Sequence, residues 1–111
     1  MEEFLRAVAA LNDESRVKIA AFLAQYGKCC VCELEASLSM PQSTLSRHLK
    51  ILKDAGFLTI SKVGARSYYG LSARAPLQKN LLANIEAIWL ELPQKIDADD
   101  IGKIKILRRQ Q

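Results

Sequence analysis

Over the first half of the chain the hydrophobic positions recur at helical spacing, and past the middle they switch to alternation. Residues 2 to 11 place Phe4, Leu5, Val8 and Leu11 on one side of a helix. Asn12 or Asp13 then offers an N-cap for a second helix, with Asp13 and Glu14 well placed near its positive end. That helix carries Val17, Ile19, Ala20, Phe22 and Leu23, and Gly27 ends it. A third, short helix is expected from about Val31 to Leu38, its apolar Val31, Leu34 and Leu38 at i, i+3 and i+7, stopped by the turn Ser39-Met40-Pro41. Pro41 suits the first turn of a fourth helix running to Ala55, because a missing N–H costs nothing there, and Gly56 supplies the exit.

After Gly56 the runs Phe57 to Val63 and Arg66 to Leu71 alternate and are β-prone, and the Gly64-Ala65 pair between them predicts a hairpin. Pro76 opens a fifth helix in which Leu77, Leu81, Ile85, Ile88 and Leu92 form one stripe, widened by Leu82 and Trp89, until Pro93. That is more apolar surface than one small core covers. With Phe4, Leu5 and Val8 it reads as a homodimer interface between first and last helices, the alternative being a terminal helix packed on its own core. The pattern predicts a mainly α fold with a small β-hairpin (α+β): four helices, two strands, one helix. Residues 1 to 93 form one domain, and the polar stretch 94 to 111 is expected to be a partly ordered tail.

Composition narrows the functional classes. At 111 residues, half of them hydrophobic, the chain suits a single domain with its own core. It contains no run of about 18 apolar residues and no basic-then-apolar start, so a cytoplasmic protein with no membrane partner is expected. The net charge is only +4, but residues 47 to 79 carry Arg47, Lys50, Lys53, Lys62, Arg66, Arg74 and Lys79 against Asp54 alone. The middle of the chain is therefore a basic face, compatible with a polyanionic partner.

A short helix, a tight turn, a second helix and a hairpin are the order of a winged helix-turn-helix, whose second helix enters the DNA major groove. On the wheel of the fourth helix Leu45, Leu49 and Leu52 share one side, while Ser43, Arg47, Lys50 and Asp54 face away and Ser46 flanks them. Arginine can read guanine with two hydrogen bonds, glutamine can pair with adenine, and hydroxyls can bond bases or phosphates. Gln42, Ser43, Thr44, Ser46, Arg47 and Lys50 are thus candidate DNA contacts, joined by Lys62 and Arg66 beside the hairpin turn. A merely solvated charged face is the competing reading of the helix alone. His48 lies next to the apolar side, which favours a packed or hydrogen-bonded histidine over a metal ligand. Tyr68 and Tyr69 alternate, so one belongs to the core.

All three cysteines fall within Lys28-Cys29-Cys30-Val31-Cys32-Glu33-Leu34. An odd, tightly spaced set in a reducing compartment makes no disulfide framework, and adjacent Cys29 and Cys30 are strained partners, so metal binding or redox chemistry is expected ahead of core filling. An enzyme reading would want Cys-x-x-Cys, or a cysteine with a histidine and a phosphate-cradling loop. None is present, and no catalytic residue is assigned.

These stretches resemble the ArsR/SmtB metalloregulatory repressors, dimeric winged-helix proteins that leave their operators when an ion or thiol-reactive signal binds. The likeness covers roughly residues 4 to 92. LNDESRVKIAAFL looks like that family's second helix, PQSTLSRHLKILKDAGFL like its recognition helix and exit, and GARSYYGL like its wing. CVCEL is similar to the Cys-Val-Cys-Asp-Leu-Cys motif of the arsenic-responsive members, which puts Cys30 and Cys32 on two ligand positions. The third family cysteine falls on Glu35, leaving Cys29 as the one thiol that could replace it. The family's zinc sites on the last helix have no counterpart, because LQKNLLANIEAIWLEL lacks histidine.

The resemblance implies a homodimeric transcriptional repressor of an arsenic-resistance operon. It would bind an inverted repeat in double-stranded DNA and be released by arsenite or antimonite at Cys29, Cys30 and Cys32, with no organic cofactor. A trivalent arsenic takes three thiolates, whereas structural zinc wants four ligands. A redox or persulfide sensor, or a sensor of another thiophilic metal such as cadmium, is the alternative. With the cysteines at the start of the third helix, Lys28 and the helix dipole would favour thiolate, and gathering three sulfurs would require the first turn to unwind.

Overall fold

A computed structural model describes residues 1–72 and 75–88, with side chains described through residue 85. The elements run α1 (Glu2–Leu11), α2 (Glu14–Tyr26), β1 (Cys29–Cys30), α3 (Val31–Leu38), α4 (Gln42–Asp54), β2 (Leu58–Val63), β3 (Arg66–Leu71) and α5 (Pro76–Ile88). The expected helices and hairpin are all present. Strand β1 is the addition: it pairs antiparallel with β3 and makes a three-stranded sheet of order β1-β3-β2. The expected dimer contacts of α5 beyond its first turns, including Ile88, Trp89 and Leu92, and the tail 94 to 111 lie outside the described side chains.

Helix α2 is the centre of the core. Lys18 through Leu23 are six consecutive buried residues, so the helix is covered nearly all round. Lys18 keeps its charge satisfied by reaching Glu14 at 3.2 Å. Asp13 caps the helix, accepting from the Arg16 N–H at 3.1 Å, and this bond, with the Arg16 charge behind it, holds the Asp13 carboxyl below its usual range. Around α2 pack Ala7 and Ala10 of α1, Leu34 of α3, Leu45, Leu49 and Leu52 of α4, Phe57, Leu58, and Leu82 and Ile85 of α5. The opposite side of α1 leaves Phe4, Leu5 and Val8 exposed, at 48, 56 and 40%.

Pro41 is the N-cap of α4 and not its first helical residue; its carbonyl accepts the Leu45 N–H at 2.9 Å. The exit is built by two reversed bonds. Gly56, at φ +87°, donates to Lys53, and Phe57 donates to Leu52, each at 3.0 Å. That is a Schellman motif, closed by contact between two fully buried apolar residues, Leu52 and Phe57. A side chain at position 56 would also collide with Gln78 of α5, whose amide donates to the Ala55 carbonyl at 3.0 Å. Helix α5 is thereby fixed to the end of α4.

A second tie holds the beginning of the same unit. The Arg16 guanidinium donates to the carbonyl of Ala10 at 2.6 Å and of Ala9 at 3.4 Å, and to His48 Nδ1 at 3.2 Å. Arginine has no acceptor, so Nδ1 carries no proton and the ring is neutral in this contact. Burial, the larger cause, and the neighbouring Arg16 and Arg47 charges push the His48 pKa down against the opposing pull of Asp13. His48 thus joins the end of α1 and the start of α2 to α4, as a hydrogen-bonded packing residue.

Candidate functional site

The polar face of α4 is open. Gln42, Ser43, Ser46, Arg47 and Lys50 are exposed and Thr44 is half-buried, while Leu45, His48, Leu49 and Leu52 point into the core. One side of the helix is spent on packing and the other is available to a groove. Lys50 bonds Asp54 at 3.0 Å, one turn later along the exposed side. Such a solvated pair contributes only about 0.3–0.5 kcal/mol, so a phosphate competes for Lys50 easily.

Strands β2 and β3 form the wing. Gly64 at φ +64°, followed by Ala65 at negative φ, matches a type II′ turn, which keeps the twist of both strands. Lys62 and Arg66 are exposed on either side of this turn. The register pairs Val63 with Arg66, Ser61 with Tyr68 and Ile60 with Tyr69. Alternation then sends Tyr69 to the core face and places Arg66 and Tyr68 on the other. Arg66 turns back along that face: its Nη1 donates to Cys32 Sγ at 3.7 Å.

The cysteines are divided between the same two faces. Cys29 lies opposite Tyr69, is fully buried within the core cluster, and directs its thiol to the Gly27 carbonyl at 3.4 Å. Cys30 lies opposite Tyr68, on the outer face. The expectation that all three sit at the start of the third helix is therefore corrected: Cys29 and Cys30 form β1, and Cys30 is the N-cap of α3 with extended φ and ψ of −82° and 165°. Glu33 reaches back to the Cys30 N–H at 3.0 Å, as in a capping box with cysteine where serine or threonine usually stands. Because Cys30 is off the helix, its sulfur can meet that of Cys32 two positions on. The two are joined as a disulfide with Cα atoms 5.4 Å apart.

A regular helix would have kept these two sulfurs apart; the extended N-cap brings them together. Of the joined pair Cys32 is exposed, whereas Cys30 is buried, at 2% exposure. Among the described residues no group of three His, Cys, Asp or Glu side chains is gathered. Cys29 faces the core, on the opposite side of the sheet from Cys30. Three features escaped the sequence reading: β1, the Arg16–His48 tie and the Arg66–Cys32 contact. None of the three had a signal of its own, although Cys30-x-x-Glu33 resembles a capping box and places Cys30 outside the helix.

Known proteins are similar to this chain in sequence and fold. Residues 13–59 match the family model described as bacterial regulatory protein, arsR family. The chain is 42% identical over 72 residues to an arsenical resistance operon repressor of Bacillus subtilis, covering 65% of this chain and 69% of that protein. With the arsenical resistance operon repressor of Escherichia coli it shares 39% identity over 88 residues, 79% of this chain and 74% of the other. Among solved structures, HlyU from Vibrio cholerae superposes with a TM-score of 0.70 at 25% identity, over 80% of this chain and 94% of that one. The open α4 face, the wing and these similarities identify one kind of molecule: the chain belongs to the arsR family of bacterial regulatory proteins, as a winged helix-turn-helix transcriptional regulator that binds DNA.

Proposed function

We propose that this protein is a homodimeric repressor of an arsenic-resistance operon, cytoplasmic, released from an inverted-repeat operator when arsenite or antimonite is captured by Cys30 and Cys32, with Cys29 recruited as third thiolate. The observation that carries the reading is the position of the sulfur pair at the seam between α3 and the wing strand. The names of the Bacillus and Escherichia relatives support the same inducer class. Apolar Phe4, Leu5 and Val8 on α1 supply the dimer surface together with α5.

The chain's residues divide the work. Gln42, Ser43, Thr44, Ser46, Arg47 and Lys50 address bases and nearby phosphates, while Lys62 and Arg66 address phosphates from the wing. Each captured thiol loses its proton as a sulfur–arsenic bond replaces an arsenic–oxygen bond, and water leaves. Drawing Cys29 onto the ion withdraws it from the core and detaches β1 from β3. The wing then loses its lateral support and α3 loses its N-cap, so the two reading heads of the dimer leave their DNA spacing. Linkage requires DNA to weaken arsenite binding by the same factor, and a swing from 99:1 to 1:99 needs about 5.5 kcal/mol of differential binding.

The joined sulfurs of Cys30 and Cys32 favour a second reading, release by oxidation, in which the two thiols give two electrons and two protons to a peroxide. Cysteine variants separate the two under reducing conditions. Cys30→Ser and Cys32→Ser should remain on the operator at arsenite concentrations that empty the parent complex, and Cys29→Ser should need about tenfold more arsenite. Release of Cys30→Ser and Cys32→Ser as readily as the parent would sink the thiolate mechanism.

A further inference from the structure

Two kinds of contact hold the recognition helix. Leu45, Leu49 and Leu52 bury its apolar side, but apolar burial is non-directional and constrains rotation about the helix axis only loosely. The directional contact is at His48, near the middle of the 13-residue α4 and next in sequence to the exposed Arg47. Its Nδ1 accepts from Arg16 Nη1 at 3.2 Å, while Arg16 Nε donates to the Ala10 carbonyl at 2.6 Å and Nη2 to the Ala9 carbonyl at 3.4 Å. Those carbonyls belong to the last turn of α1, which carries no basic residue of its own, so the Arg16 charge also complements the negative end of that helix. The Asp13 carboxylate, 4.0 Å from Nη1, flanks the guanidinium at the start of α2. A planar guanidinium donates along fixed directions, so one side chain sets α4 against the corner between α1 and α2.

We propose that Arg16 is a positioning residue for DNA recognition: it fixes, through His48, the rotation of α4 at which the exposed side chains of that helix meet base edges. Base contacts need this precision because each bidentate pair works at one distance and angle, whereas phosphate contacts tolerate a displaced helix. The tie works only with neutral His48 as acceptor. A proton on Nδ1 sets a donor against a donor and a cation against a cation. The charges that act on His48 among the described residues are Asp13 and Arg16 at the start of α2 and Arg47 on its own helix. Asp13 stays ionised in mild acid, since its bond from the Arg16 N–H holds the carboxyl below the usual range. Acid therefore releases α4 from its angle and lowers operator affinity. A histidine that served only as a nearby cation would act with the opposite sign, because added positive charge strengthens DNA binding.

The experiment measures the affinity of the reduced full-length protein for an operator duplex and for a scrambled duplex of the same length, from pH 7.5 to pH 5. Far-UV circular dichroism confirms that each variant is folded. Arg16→Lys keeps the charge but loses the fork. At pH 7.5 it should lower operator affinity about fivefold or more, the order of one lost bidentate contact, and leave scrambled-duplex affinity within about twofold. His48→Asn places an amide oxygen near the position of Nδ1, where it accepts from Arg16 and does not titrate. It should hold its operator affinity from pH 7.5 to pH 5, whereas the parent's falls and the parent's scrambled-duplex affinity does not. His48 is the chain's one histidine, so this pair of pH profiles decides the matter even where Arg16→Lys does not fold. An operator-to-scrambled ratio in folded Arg16→Lys equal to the parent's overturns the proposal. So does a parent whose operator affinity stays level or rises on acidification, or a His48→Asn that loses affinity in acid as the parent does.

Discussion

His48 shows how a single residue was half legible. Its place on the apolar side of α4 follows from helical spacing, and the structure buries it to 8% exposure. Its partner, Arg16, comes from 32 positions earlier and carries no sequence signal, because the contact exists only once α1, α2 and α4 have packed. The neutral ring accepts from Arg16, so a proton on Nδ1 would place two cations together and orphan the donor. Since the folded pKa lies below the ordinary 6.5, the unfolded chain binds more protons in the interval between them. The stabilisation is complete above pH 6.5 and is lost as pH falls from there toward the folded value. His48 is the chain's one histidine. Urea midpoints should therefore decline between pH 7.5 and pH 5 in the parent, and this decline should flatten in His48→Gln.

At the scale of elements, the helices were legible because each presents several apolar residues at a steady period, and the stops of α2, α3 and α4 have chemical causes in Gly27, Pro41 and Gly56. Strand β1 was not legible: two residues cannot display alternation, and cysteine has no strong strand bias. Its existence depends on β3 being there to receive it, which is a tertiary fact. The same gap moved the cysteines from a helix start to a strand and an N-cap, and so changed which sulfurs meet. Leu52 tests the exit of the recognition helix, since it is fully buried and supplies both the carbonyl and the apolar contact of the Schellman motif. Leu52→Ala should lower stability by about 2–5 kcal/mol in urea unfolding. A loss under about 1 kcal/mol would contradict the packing described for this helix end.

For the whole molecule, the core made by α2 leaves exposed, among the described residues, the basic α4 and wing face and the apolar Phe4, Leu5 and Val8 of α1, the proposed dimer surface. The basic face was readable from the run of cations between residues 47 and 79, and the structure sorts them, leaving Arg47 and Lys62 outward while Lys50 bonds Asp54 and Arg66 bonds Cys32. The Cys30–Cys32 pair, the proposed sensing site, sits where α3, β1 and β3 meet, so a change there would reach both helix and wing. The most direct measurement is fluorescence anisotropy of the labelled operator, bound by fully reduced protein and titrated with arsenite, with zinc, cadmium and peroxide in parallel. The account predicts that arsenite dissociates the complex at near-stoichiometric concentration while zinc leaves it intact. A complex that persists at saturating arsenite, or one that only peroxide dissociates, would contradict it.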